Sequence, residues 1–214
     1  YAVQYFYEPF LKAYDPALRK QLGVWYTPPE IVRYQVARVD AVLREELRLT
    51  DGLADPSVLV LDPCCGTGAY LVEVLRRIRQ TLHEKGGAAL TSAQLKQAAL
   101  TRVFGFEILP APFVVAHLQL GLLLRQFGVP LREDRERAGI YLTNALTNWE
   151  PLAQAGRQMA IPFPEFQEER DKADEIKQRK AILVILGNPP YNAFAGVSPD
   201  EEGDLVEAYK ENLN

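Results

Sequence analysis

The chain has 214 residues, with 24 Lys+Arg against 28 Asp+Glu for a net charge of −4, and is 48% hydrophobic and 24% charged. Such a composition excludes a disordered chain, leaves room for one sizeable core, and speaks against a free-standing nucleic-acid binder, which usually carries a basic surplus. Two adjacent cysteines, Cys64 and Cys65, without any CxxC pair exclude a disulfide scaffold and a cysteine-rich zinc site, and they point to a reducing, cytoplasmic setting.

No apolar run approaches the roughly 18 residues of a membrane span; the longest, residues 113–124, is broken by His117, Gln119 and Gly121. The chain opens at Tyr1 and ends at Asn214 in a helical pattern, so a fragment of a longer protein is expected.

Residues 1–25 are rich in aromatic side chains, among them Tyr5, Phe6, Tyr7, Phe10 and Tyr14, and read as a helical arm. Thr27 and Glu30 then stand at capping-box spacing, with Pro28 at the first helical position. The helix that follows carries Val32, Val36, Val39, Leu43 and Leu47 on one face and is expected to end near Gly52. Residues 57–62 (SVLVLD) form a short β-branched run between turn residues, hence a buried strand. A glycine-containing turn leads into a helix striped by Leu71, Val74, Leu75, Ile78 and Leu82, which Gly86 and Gly87 break. Thr91 and Gln94, again at capping-box spacing, open a short helix to Leu100.

A second strand is expected over 103–107, a helix from Pro110 to about Phe127, and a third strand over 139–143. Residues 148–180 hold a polar insertion and a highly charged helix, read as a solvated face, with contact of Lys177, Arg179 and Lys180 to nucleic acid as the lesser reading. Residues 181–186 (AILVIL) are a continuous apolar strand, expected to be covered on both faces. Helices alternating with strands predict an α/β fold with a doubly wound, mainly parallel sheet. Two segments are expected: residues 1–50, helical, and residues 51–214, a core.

Three places carry chemistry. Asp62-Pro63-Cys64-Cys65-Gly66-Thr67-Gly68 sits where a strand gives way to a helix, the position at which open α/β sheets bind nucleotides. Gly66 and Gly68 allow a sharp turn and close approach of a ligand. The run lacks the third glycine of a dinucleotide fingerprint and the Gly-Lys-Ser/Thr of a phosphate loop. Glu107 ends the second strand, where a carboxylate can accept from two ribose hydroxyls; alone, it is equally well a surface carboxylate. Asn188-Pro189-Pro190-Tyr191 follows the last strand. Its prolines stiffen the backbone and leave carbonyls without neighbouring N–H donors. The Asn oxygen and a Pro carbonyl can therefore accept both hydrogens of a planar amino group, and Tyr191 can stack on a base.

The order YTPPE, DPCCGTG, FGFE, TNAL, NPPY resembles the S-adenosylmethionine-dependent N6-adenine DNA methyltransferases in their γ arrangement, over roughly residues 25–191. The aromatic leader also resembles the methyltransferase part of large single-polypeptide restriction–modification enzymes. That resemblance implies a Rossmann-like fold, with S-adenosylmethionine as cofactor. Tyr26, Thr27 and Pro28 would line its methionine end, Asp62, Pro63, Gly66 and Gly68 its amino-acid portion, Glu107 its ribose and Ile108 its adenine. Asn144, in TNAL, stands where the family usually has Asp; an Asn both accepts and donates. Asn188, Pro189, Pro190 and Tyr191 would hold the target adenine, flipped out of double-stranded DNA. A nuclease and helicase upstream and a target-recognition domain downstream are implied, and no membrane.

In that chemistry the adenine amine is a poor nucleophile until acceptors localise its lone pair, and positioning and electrostatics do most of the work. No covalent intermediate is needed, so Cys64 and Cys65 read as loop packing and His83 and His117 as structural residues. Two other readings compete. NPPY also occurs in glutamine methyltransferases acting on proteins, against which YTPPE and the Asp-Pro opening of the glycine turn weigh. A non-catalytic cofactor-binding or docking module would be expected to carry a damaged NPPY or glycine turn.

Overall fold

The computed structural model of the chain describes residues 27–132, 136–146 and 164–189. The expected arm at 1–25, Tyr26, the first part of the polar insertion, Pro190 and Tyr191 lie outside the described residues. Among the described residues four strands make one sheet: β1 (Val60–Asp62), β2 (Val103–Glu107), β3 (Gly139–Leu142) and β4 (Val184–Ile185). All pairings are parallel and the spatial order is β3-β2-β1-β4. The chain thus builds outward from β1 through β2 to β3, then crosses back to lay β4 on the other side of β1. The direction of winding reverses between β1 and β4, and ligands of open α/β sheets bind outside the strand ends at such a reversal.

Among the described residues five α-helices connect or flank these strands: α1 (Pro29–Glu45), α2 (Ala69–Gly86), α3 (Ala88–Thr101), α4 (Pro110–Gln126) and α5 (Pro164–Arg179). Alternation along each strand divides the core. Val60, Val103, Ile140 and Val184 turn to one face and join a buried cluster with Val36, Leu71, Leu75, Ile78, Leu95, Leu120 and Leu124 from α1 to α4. Leu61, Phe104 and Phe106 turn to the other face and pack on Ala173 and Ile176 of α5. Helices on both faces of a parallel sheet make the fold doubly wound, the α/β architecture expected from the sequence. These elements lie in a compact unit, Thr27–Asn188.

Several expectations are corrected in detail. Neither capping box forms. Helix α1 starts at Pro29 with Pro28 as its N-cap, without a side-chain cap; Thr27 is one residue too far upstream to close the box. Gly87 interrupts the α2–α3 run for a single residue, at φ 79°, and α3 begins at Ala88. Thr91 is therefore inside the helix, and its hydroxyl donates back to the Gly87 carbonyl at 2.7 Å. Helix α1 ends at Glu45, and Leu47 is half exposed. In its place the buried stripe includes Asp40, fully buried, which accepts from Arg44 Nε at 2.8 Å, Arg77 Nη2 at 2.7 Å and the Leu53 N–H at 2.9 Å. Strand β4 is shorter than expected and has one covered face: Val184 and Leu186 are buried, whereas Leu183 and Ile185 are 48% and 67% exposed.

The charged helix α5 is not simply solvated. Glu169 pairs with Arg137, whose Nη2 also donates to the Ile140 carbonyl at 2.6 Å, while the Leu142 N–H donates to Glu169 Oε2 at 3.2 Å. Lys177 Nζ donates to Thr143 Oγ1 at 3.1 Å and to the Asn144 carbonyl at 2.8 Å. An ion pair and two side chains, not an apolar stripe alone, hold α5 against β3.

Candidate functional site

The turn after β1 is built from the strand outward. The Cys65 N–H donates to the Phe106 carbonyl at 2.9 Å, which carries the sheet's hydrogen bonding past Asp62 into the turn. Gly66 and Gly68 take φ of 54° and 87°, the left-handed region that glycine adopts without Cβ strain. Gly68 is the N-cap of α2. A Cβ at Gly68 would lie 3.3 Å from Ala116 Cβ and from Leu120 Cδ1, so this glycine also lets α4 approach; a Cβ at Gly66 would meet nothing within 4 Å. Gln119 Nε2 on α4 donates to the Thr67 carbonyl at 2.9 Å and fixes the turn from the helix side.

Two acids close the turn. Glu107 is 8% exposed, and its carboxylate accepts from the Gly66 N–H at 2.9 Å and the Leu109 N–H at 2.8 Å. Burial raises its pKa against the pull of these backbone donors. A carboxylate has about four lone-pair positions, so these backbone donors leave it able to accept again. Asp62 is fully buried; its Oδ1 accepts from the Cys64 N–H at 3.1 Å, and its Oδ2 has no hydrogen-bond partner among the described residues. Burial, helped by the charge of Glu107, pushes Asp62 up to about 7. Thr67 Oγ1 is a second buried atom without a partner among the described residues. Burial and the same two acids raise Cys64 to about 11 and push Cys65 well above the ordinary thiol value, so both stay thiols at neutral pH.

On the far side of the winding reversal, β4 runs into Leu186, Gly187 and Asn188. The Leu186 N–H donates to the Leu61 carbonyl at 3.1 Å. A Cβ at Gly187 would stand 2.4 Å from Asp62 Oδ1. Glycine is therefore required there, and its absence of a side chain brings the Asn188 backbone up to the end of β1. The Asn188 amide Nδ2 donates to Thr27 Oγ1 at 3.0 Å across 161 residues of sequence. Thr27, read as a cap and as cofactor lining, thus meets the NPPY motif directly.

Asn144 lies two residues past β3. Its Oδ1 accepts from the Leu146 N–H at 2.9 Å, an Asx turn that commits its oxygen to its own loop. The preceding Thr143 N–H donates to the Glu107 carbonyl at 2.9 Å, which places Asn144 beside the β2 end. Ile108 is 37% exposed and Pro63 half-buried at the same edge of the sheet. Thr27, Asp62, the glycine turn, Glu107, Asn144 and Asn188 all stand at the carboxyl ends of the strands. Lys177, Gly187 and Gln119 support this edge and were missed in the sequence. Of these only Gly187, a glycine between an apolar strand and NPPY, carries a signal there.

A family model described as N-6 DNA Methylase matches residues 2–205. Among solved structures, the chain is similar to that of the DrdV–DNA complex determined by cryoEM, with 29% identity over 89% of this chain and 16% of that one and a TM-score of 0.65. It is also similar to a nuclease-deletion mutant of the Type ISP restriction-modification enzyme LlaGI in complex with a DNA substrate mimic (22% identity, 79% of this chain, 13% of that one, TM-score 0.62). The ATP-dependent Type ISP restriction-modification enzyme LlaBIII bound to DNA is a third such structure (23%, 79%, 10%, 0.60). At those identities the last two show the fold alone. The chain spans less than a fifth of the length of each of the three. No curated protein sequence matches the chain.

Proposed function

The chain belongs to the N-6 DNA methylase family, and on that premise we propose that it is the methyl-transfer centre of a larger restriction–modification enzyme. It moves a methyl group from S-adenosylmethionine to the N6 amino group of an adenine flipped out of double-stranded DNA. The observation that carries this reading is the pairing, across the winding reversal, of the Asp62–Gly68 turn with Asn188, joined to Thr27 at 3.0 Å. Such an enzyme needs one place for a cationic amino acid and a planar acceptor for an amine beside it, and the Asp62 turn and Asn188 are suited to these two roles.

The residues present fit S-adenosylmethionine. Asp62 Oδ2 is a buried acceptor with no donor among the described residues, suited to an ammonium group, and the open side of Gly66 leaves its backbone approachable. Glu107 would accept from ribose hydroxyls and Ile108 would lie against the adenine ring. Asn144 would offer its Nδ2, since its Oδ1 is committed to Leu146. Tyr26, Pro28, Pro63 and Gly68 complete the expected lining. When bound, the cofactor supplies an electrophilic methyl group.

The protein's part is to present the amine. The lone pair on adenine N6 delocalises into the ring. Asn188 Oδ1 and the Pro189 carbonyl, accepting its two hydrogens, draw that lone pair back to nitrogen. Pro190 stiffens the loop and Tyr191 stacks on the base. Catalysis by fixed acceptors in a shaped pocket requires no nucleophile from the protein. Flanking modules would grip and read the DNA, and with a net charge of −4 this chain alone binds it weakly.

The test is Asn188→Ala in the full-length protein. N6-methyladenine in the DNA of expressing cells disappears, while affinity for S-adenosylmethionine, measured by calorimetry, stays within a few-fold. Continued methylation by this variant would overturn the reading.

A further inference from the structure

Among the contacts at the sheet edge, one joins the first described residue of the chain to the motif that follows its last described strand. Asn188 Nδ2 donates to Thr27 Oγ1 at 3.0 Å, and both residues are half-buried. We propose that Thr27 is a positioning residue for Asn188: its hydroxyl holds the amide nitrogen and leaves Oδ1 as the free edge that accepts from the substrate amine. The inference rests on the proposed amine methylation.

The chemistry of the amide explains why such a partner is needed. A primary amide offers an acceptor on one edge and two donors on the other, and a half-turn about its last bond exchanges them. Only the oxygen edge can accept from an amine and so sharpen its nucleophilicity; the NH2 edge would oppose it donor to donor. Asn188 follows Gly187 and precedes two prolines, so its backbone is placed by Asp62 on one side and stiff on the other. That leaves the amide's own rotation as the freedom to be removed. Thr27 is placed to remove it. It is held at the head of α1, where the Ile31 and Val32 N–H groups both donate to the Pro28 carbonyl, and Val32 and Val36 anchor the helix in the core. Helix α1 takes Pro28, not Thr27, as its N-cap, and the Thr27 hydroxyl is bonded to Asn188 instead.

This reading differs from the one the family resemblance implies for Thr27, which places it on the cofactor. The two separate in steady-state kinetics with the full-length enzyme on its methylated site. Thr27→Val keeps the shape and removes the acceptor. Losing one hydrogen bond worth about 1 kcal/mol in the aligned state lowers kcat by about fivefold to tenfold. Affinity for S-adenosylmethionine, read by calorimetry without turnover, stays within twofold. Thr27→Ser restores the hydroxyl and recovers most of kcat, which a purely structural loss at this position would not show.

Binding provides a check that needs no chemistry. Wild-type protein prefers a duplex with adenine at the target over one with unsubstituted purine, which lacks the amino group, and Thr27→Val reduces that preference. Three results would overturn the proposal: an unchanged kcat in Thr27→Val, a loss confined to cofactor affinity, or equal losses in the Val and Ser variants. A wild-type enzyme that leaves DNA unmethylated would instead defeat the proposed function, and the role of Thr27 with it.

Discussion

Asp62→Asn tests the electrostatics of the turn. Asp62 is fully buried, and its pKa is pushed from 3.8 to about 7, which at about 1.4 kcal/mol per pH unit is about 4 kcal/mol. The sign follows from proton counting. Between pH about 4 and about 7 the native protein holds a proton on Asp62 that the unfolded chain has already released. Stability from this group is therefore lost as pH rises through that window, and above it the fold carries a buried charge. His117 acts in the opposite sense. Burial, then the nearby Arg137 charge, lower it from 6.5 to about 4, so its contribution is gained as pH rises from about 4 to 6.5. The two slopes oppose each other, and a pH profile of the wild type alone would show neither.

The difference between wild type and Asp62→Asn isolates the acid. Asn keeps an oxygen for the Cys64 N–H and places an NH2 where Oδ2 has no partner among the described residues, at a cost of about 1–3 kcal/mol. Urea unfolding of the ligand-free chain at pH 4.5, 6 and 8 should find the variant no more stable at the lowest pH. At pH 8 it should be more stable by about 1–3 kcal/mol, the charge removed less the amide left unpaired. The same variant binds S-adenosylmethionine at least tenfold more weakly under the proposed function, the loss expected when a charge-assisted bond is removed. A difference between the two proteins that stays constant from pH 4.5 to 8 would refute the buried-acid reasoning.

Gly187→Ala puts a methyl group 2.4 Å from Asp62 Oδ1; overpacking of this kind costs about 1–3 kcal/mol, and thermal melting should show it together with weakened methyl transfer, since Asn188 is the next residue. Melting at the wild-type temperature would mean that the approach of β4 to Asp62 is looser than described. Asp40→Ala removes the buried acceptor that Arg44 and Arg77 share and unpairs the Leu53 N–H, while Arg44 keeps the Thr50 and Asp51 carbonyls and the Thr81 hydroxyl, so the loss is about 1–3 kcal/mol. Equilibrium unfolding within 1 kcal/mol of wild type would contradict it.

Periodicity exposes what repeats and hides what does not. The strand–turn–helix unit at 60–86 was legible because its apolar stripe and its glycines point the same way. Asp62 and Glu107 stood out as lone carboxylates ending apolar strands, and the structure puts both at the edge of the sheet. Asp40 was not legible, although it lies four residues after Val36 and three before Leu43, on the same face. A charge in an apolar stripe looks like a boundary until its arginine partner, 37 residues away on another helix, is known. Helix α5 misled for a related reason. Only Ala173 and Ile176 mark its inward face, while Glu169 and Lys177, which read as solvated charges, supply the polar contacts to β3 and the loop behind it. Thr27 misled because one spacing has two meanings. A hydroxyl three residues before a glutamate fits a cap only if the helix starts at the next residue, and two consecutive prolines leave that start ambiguous by one.

The ambiguity at Thr27 matters because of where it falls. A doubly wound sheet brings the ends of β1 and β4 together by topology alone, but topology aligns backbones and leaves side chains free to turn. At this edge, hydrogen bonds from outside the sheet remove that freedom. The Gly66 N–H holds Glu107, the Cys64 N–H holds one oxygen of Asp62, and Thr27 holds Asn188. Each leaves one atom uncommitted among the described residues or able to accept again: Asp62 Oδ2, a lone pair of Glu107, Asn188 Oδ1. Satisfying those atoms within the fold would gain about 0.5–1.5 kcal/mol apiece. Leaving them unsatisfied in a buried or half-buried place, each beside a fixed partner, is the arrangement expected of atoms reserved for a ligand.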